Sequence, residues 1–182
     1  MQVWFTSDPH FGHTNVLKYC NRPYKDTDEM HESMIANWNG RVGPDDVVWM
    51  LGDIFFCGEN EAIEILSRLN GAKHLLLGNH DKRIRNSKKI QGMFTEIYPD
   101  LHSTYINGQY VVMCHYPLLS WDRAFYGSYM LHGHCHGTIP FDPKYRRLDV
   151  GVDCWNYAPV SWSDVSRKLN EIDPKDTRER ER

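Results

Sequence analysis

The chain has 182 residues, 13% aromatic and 25% charged, with a formal charge of −3. That is enough to bury one sizeable core and excludes a disordered chain; the net charge gives no hint of a basic surface for nucleic acid and does not exclude one. No apolar run approaches the ~20 residues of a membrane-spanning helix, and the N-terminus (Met1-Gln2-Val3-Trp4) has no basic segment followed by an apolar one.

Val3 to Ser7 reads as an apolar opening strand that runs into Asp8-Pro9-His10, where Pro9 ends the ladder. A short helix over Thr14 to Cys20 stops at Asn21-Arg22-Pro23. Asp26 with Glu29 caps a second helix, on which Met30, Met34, Ile35 and Trp38 recur at helical spacing. Val47 to Leu51 is a buried-strand pattern ending at Gly52-Asp53. Ala62, Ile65, Leu66 and Leu69 mark another amphipathic helix, closed by Asn70-Gly71. Lys73 to Leu77 is then a strand that stops at Gly78-Asn79-His80-Asp81. Two βα units in succession imply parallel strands with helices on the faces of the sheet.

Beyond Asp81 the pattern changes. Asp81 to Met93 reads as one basic helix. Asn107-Gly108 between Thr104-Tyr105-Ile106 and Tyr110 to Met113 is a hairpin signal of the type I′ kind, ending in Cys114-His115. Tyr129 to Leu131 leads into His132-Gly133-His134-Cys135-His136, and Leu148 to Asp153 alternates as a strand does. Ser161 with Asp164 caps a last helix through Ile172. One domain over residues 1–172 and a charged tail over 173–182 are expected.

Five strand-like segments thus end in metal-ligand residue types: Asp8/His10, Asp53, Asn79/His80, His115 and His134/His136. A polar residue at one strand end is ordinary and reads as structural. Five such endings point to a site at a sheet edge, where open α/β sheets bind ligands. The donor set is imidazole, carboxylate and amide without thiolate, which suits Mn, Fe, Zn, Co or Ni rather than a structural zinc site. The five cysteines are odd in number and lack a Cys-x-x-Cys, which favours a reducing cytoplasm over a disulfide framework.

Asp8-x-His10, Gly52-Asp53, Gly78-Asn79-His80-Asp81, His115 and Gly133-His134-x-His136 follow one another as the five blocks of the calcineurin-like metallophosphoesterases do. The chain resembles that family, and within it the small bacterial and phage-type members, which share Phe11-x-His13-x-Asn15 and Asp149-Val-Gly-Val-Asp153. The resemblance implies an α/β fold, a four-layer α-β-β-α sandwich of two mixed sheets. It also implies two divalent metal ions, with manganese expected first. Asp8, His10 and His136 would hold one ion, Asn79, His115 and His134 the other, and Asp53 would bridge them. His80 would protonate the leaving oxygen, and Asp81 would orient His80. The implied activity is hydrolysis of phosphoesters by metal-activated hydroxide.

Four further residues are candidate substrate contacts: His13, Asn15, Arg22 and His132. Each also has a structural reading, as a cap, a local hydrogen bond or a support behind a ligand. Trp121, Tyr126, Trp155 and Tyr157 read as packing or as a wall for stacking a base. The short chain has no evident cap segment, so an open site that takes phosphodiesters, including nucleotides, is expected. A phosphomonoesterase or protein phosphatase and a nuclease are the rival enzymes. An inactive scaffold would have lost ligands, and here every motif residue is present.

Overall fold

The computed structural model describes residues 1–172; the expected charged tail, 173–182, lies outside the described residues. Strands β1 (Val3–Thr6), β2 (Val47–Met50), β3 (Ala72–Leu76) and β4 (Glu96–Tyr98) run parallel, and β9 (Val160–Ser161) adds antiparallel to β1. The order across this sheet is β4-β3-β2-β1-β9. The residues alternate between two cores, as the period of two in a strand requires. Trp4, Val48, Met50 and Leu75 face the helices, whereas Phe5, Trp49, Leu51 and Leu76 face the second sheet.

Helix α1 (Val16–Tyr19) is one short turn, and α2 (Thr27–Asn39) and α3 (Glu59–Arg68) cover the outer face of the first sheet. The start of α2 is fixed by Asp26, whose carboxylate accepts the Glu29 N–H at 2.9 Å. Met30, Met34, Ile35 and Trp38 are its buried stripe. The basic segment after β3 is two short helices rather than one: α4 (Lys82–Asn86) and α5 (Lys88–Gln91). Ser87 breaks them, because its backbone is extended and its hydroxyl caps the Ile90 N–H at 3.2 Å.

The second sheet is β5 (Leu101–Ile106), β6 (Gln109–Cys114), β7 (Tyr129–His132) and β8 (Arg147–Asp149), in that order. The hairpin between β5 and β6 has φ of 48° at Asn107 and 83° at Gly108, as a type I′ turn demands. From β6 onward the strands are parallel. Val111, Met113, Tyr129, Leu131 and Leu148 meet the inner face of the first sheet, and α6 (Trp162–Asn170) adds Val165 and Leu169 to that core. On the far face Val112, Cys114 and Met130 pack under Trp121 and Ala124, so the fourth layer is a loop with one 3-10 turn over Ala124–Tyr126. The expected strand over Leu148 to Asp153 ends early. The Asp149 carboxylate turns the chain by accepting the Gly151 N–H at 2.8 Å, and a second 3-10 turn follows over Val152–Cys154.

Beyond their shared core, a backbone bridge links the two sheets. Ser7, just past β1, bridges Gly151, just past β8. The C-terminal ends of β1, β2 and β3 therefore come up beside those of β6, β7 and β8.

Candidate metal centre

Asp8, His10, Asp53, His134 and His136 all adopt left-handed backbone, with φ between 48° and 69°. L residues other than glycine rarely take this conformation, and it persists where the surroundings hold it. The result is that chain reversals at the strand ends turn these side chains inward. The loops lie so close that glycine is required at several of their positions. A side chain on Gly133 would strike Ser7 and the Asp8 carboxylate, and one on Gly78 would meet the Asp53 amide nitrogen at 2.6 Å.

Two groups of candidate ligand atoms lie at these strand ends, each with its atoms within 4.8 Å of one another: Asp8, His10 and His136, and Asp53, His115 and His134; a third such group, Cys20, His136 and Asp153, shares His136 with the first. Each carboxylate commits one oxygen to a backbone amide and leaves the other facing the group. Asp8 Oδ2 accepts the His134 N–H at 2.8 Å, and Asp53 Oδ1 accepts the His80 N–H at 2.8 Å. Asp53 Oδ2 stands between the groups, 3.3 Å from His115 Nε2 and 3.9 Å from His10 Nε2.

The donor chemistry fits cations. In the first group Asp8 Oδ1 and His10 Nε2 are buried without a hydrogen-bond partner, 3.7 Å apart. In the second, His115 Nδ1 bonds the Leu51 carbonyl at 2.8 Å, so it carries the proton and Nε2 presents a lone pair. Around that lone pair stand the Asn79 amide oxygen at 3.0 Å, Asp53 Oδ2, and His134 Nδ1 at 3.2 Å. Acceptors brought this close repel unless a proton or a metal ion lies among them. Burial disfavours charge at both His115 and Asp53. Their mutual contact, together with Asp8 and the Leu51 carbonyl beside His115 and the His80 N–H and His10 beside Asp53, outweighs it, raising His115 and lowering Asp53 from their ordinary values.

Residues 1–173 match the calcineurin-like phosphoesterase family. The chain belongs to that family. It is 35% identical to an uncharacterised protein of Methanocaldococcus jannaschii over 88% of this chain and 86% of that one. It is 30% identical to the Gene 66 protein of Mycobacterium phage D29, over 94% and 97% of the two chains. A crystal structure of a protein of unknown function from Aquifex aeolicus has the same fold, with a TM-score of 0.74 at 23% identity over 91% and 98% of the chains. The chain is therefore a metal-dependent phosphoric ester hydrolase, and its family implies a dinuclear centre of divalent ions. No helix among the described residues is long and apolar enough to cross a membrane.

Around the centre of this phosphoesterase the remaining candidates part company. His80 is half exposed at the rim, with Nε2 4.0 Å from Asp53 Oδ2. Asp81 does not orient it, contrary to expectation. Its buried carboxylate accepts the backbone N–H groups of Asp53, Ile54 and Gly78 at 2.8, 2.9 and 2.8 Å. No hydrogen bond joins it to the His80 ring among the described residues. Arg22 is likewise not a phosphate contact. Buried, it donates to both Asp153 oxygens at 2.8 Å and to the carbonyls of Asp8 and Pro9 at 2.7 Å, so its guanidinium braces the β1 loop. His132 faces away from the centre into a separate cavity of about 150 Å³, with Nδ1 3.0 Å from the Gly133 carbonyl oxygen.

His13 does reach the rim, stacked on Phe56 at 4.0 Å and 5.5 Å from the His10 ring. Asn15 starts α1 without a side-chain cap, and it is used through its carbonyl by Lys18 and Tyr19. Trp121 is core, and Tyr157 packs on Tyr24.

Three residues at the centre escaped the sequence reading of the site. Asp153 accepts His136 Nδ1–H at 2.7 Å, which leaves His136 Nε2 toward Asp8 Oδ1 at 4.0 Å. Burial lowers the His136 pKa, but the hydrogen bonds to Asp153 and Cys20 and the charges of Asp8 and Asp153 together lift it to about 10. The Asp149-Val-Gly-Val-Asp153 stretch was the signal for it. Phe56 sits 4.9 Å from His80, and Tyr116 sits 4.6 Å from His134. Single aromatics in loops carry no such signal.

Proposed function

We propose that the chain hydrolyses phosphodiesters, nucleotide-like ones among them, with Asp8, His10 and His136 holding one divalent ion, Asn79, His115 and His134 the other, and Asp53 shared. The observation that carries the reading is Asp53 Oδ2, placed between two groups of converging acceptors. The mixed nitrogen and oxygen set suits Mn²⁺, Fe, Zn, Ni or Co, and the family resemblance puts Mn²⁺ first. All five cysteines are free, which suits a reducing cytoplasm.

When bound, two ions supply Lewis acidity to the phosphoryl oxygens and lower the pKa of a water so that it attacks near neutral pH. The chain's own residues do the rest. Asp153 and the Leu51 carbonyl fix the tautomers of His136 and His115. His80, beside Asp53 and half exposed, reaches the departing oxygen and gives it a proton. Asn79, His80 and His134 are all exposed, so both substituents of a diester have room to leave the rim.

The test is turnover of bis-p-nitrophenyl phosphate and p-nitrophenyl phosphate by stripped protein with Mn²⁺, Ni²⁺, Zn²⁺ or Mg²⁺ added singly. Faster cleavage of the diester, highest with Mn²⁺, supports the reading; a preference for the monoester sinks the diester claim. His80→Ala separates the proton donor from the ligands. Its cost is ~10²–10⁴-fold on the dinucleotide TpT, whose alkoxide needs a proton, and much less on nitrophenyl esters, with metal content unchanged.

A further inference from the structure

A cleft of about 470 Å³ opens next to His80, lined by Phe55, Phe56, Glu59, His80, Lys82, Arg83, Asn86 and Ser87. His80 stands between this cleft and the metal-ligand groups: its Nε2 is 4.0 Å from Asp53 Oδ2, and its ring is 4.9 Å from that of Phe56. If His80 protonates the leaving oxygen, the leaving group departs on this side.

The charge in the cleft is uneven. Glu59 is its one carboxylate, and it is already committed, to Ser87 Oγ at 2.6 Å and to Lys89 at 3.1 Å. Lys82 and Arg83 are exposed and form no ion pair among the described residues. Both are presented by α4 immediately after His80, while Phe56 forms an apolar wall. Asn86 and Ser87 add polar groups at the far end. Two unpaired cations beside an aromatic face suit an anionic group carried on an organic body.

We propose that this cleft is the subsite for the leaving group, and that it selects phosphodiesters whose leaving nucleoside bears a phosphate of its own, as in a short single-stranded oligonucleotide. The inference rests on the phosphodiesterase reading above. In the step, the oxygen of water bonds to phosphorus and the P–O bond to the leaving nucleoside breaks. The proton on His80 goes to that oxygen, and a proton of the attacking water passes to solvent. Lys82 and Arg83 hold the second phosphate, which does not react.

The experiment compares TpT with its two phosphorylated forms, pTpT and TpTp, by chromatography of the products. TpT itself shows which nucleoside leaves, because the other keeps the phosphate: 5′-thymidine monophosphate means that the 3′-oxygen departed, and 3′-thymidine monophosphate that the 5′-oxygen did. The isomer with the extra phosphate on the leaving nucleoside is expected to have a kcat/KM about tenfold above TpT, a margin that shrinks as salt rises. Lys82→Ala with Arg83→Ala should collapse that ratio. The same double variant should weaken calorimetric binding of the released product, thymidine monophosphate, relative to thymidine. Equal rates on all three substrates, or a preference that survives the double variant, would overturn the proposal. Should bis-p-nitrophenyl phosphate still be cleaved in that case, only the subsite is lost. Should it not be cleaved, the phosphodiesterase reading fails first.

Discussion

At the scale of single residues, the side chains nearest the chemistry divide by whether their partners are other ligands or backbone. Asp81 is the instructive one. The family resemblance implied an orienting carboxylate; three backbone amides from two loops make it a splice instead. Its role was illegible in the sequence because two of its partners are peptide groups 27 and 28 residues away. Asp81→Asn would keep one acceptor and aim an N–H at another N–H, so a loss of about 3 kcal/mol is expected in urea unfolding of the metal-free protein. An unchanged urea midpoint with a displaced pH–rate profile would return Asp81 to the orienting role. Asp153 permits a second test. Its carboxyl is buried, which raises it, yet the hydrogen bonds from His136 and Arg22 hold it below its ordinary value. Because the His136 pKa is raised, its contribution is full below about 6.5 and fades as pH climbs through about 10. Because the Asp153 pKa is lowered, its contribution is full above about 3.8 and fades as pH falls through the lowered value. In EDTA the pair should therefore stabilise fully between those limits. Asp153→Asn should flatten the alkaline loss between pH 6.5 and 10, and urea midpoints across that range would show it.

At the scale of elements, legibility follows the strength of the local signal. The strands β1, β2 and β3, the α2 cap at Asp26 and the hairpin at Asn107-Gly108 each have a periodicity or a capping residue in sequence, and each is present. The breaks are set by single side-chain contacts. Ser87 divides α4 from α5, and Asp149 cuts β8 short, and neither competes visibly with the flanking pattern. The strand-end loops are the functional elements, and their close approach is what positions the ligands. Gly133→Ala would drive a methyl group into Ser7 and Asp8, both fully buried. The loop after β7 must then withdraw, carrying the His134 amide off Asp8. Loss of metal from the first group is expected with the two sheets still folded, seen as reduced metal content against a near-native circular dichroism spectrum. Full metal content in Gly133→Ala would show that the loop tolerates the displacement.

At the scale of the whole molecule, the candidate ligands of the proposed centre come from both sheets. Asp8, His10, Asp53 and Asn79 come from the loops after β1, β2 and β3, and His115, His134 and His136 from those after β6 and β7. Without cations the same edge concentrates acceptors that repel unless protons lie among them. Ions bound there would join the two sheets and remove that repulsion at once. Binding to the folded state alone stabilises it by about 2.7 kcal/mol at a hundredfold excess over Kd. For a chain of this length that is a rise in Tm of about 5–10 °C. Melting curves with EDTA and with Mn²⁺ measure it directly. Asp53→Ala should abolish the shift, because it removes the oxygen that stands between both groups, whereas Arg83→Ala should leave it intact, since Arg83 lines the cleft and not the centre. Equal Tm with and without metal would mean that the acceptors are satisfied by protons alone, and the converging geometry would then lose its meaning as a metal centre.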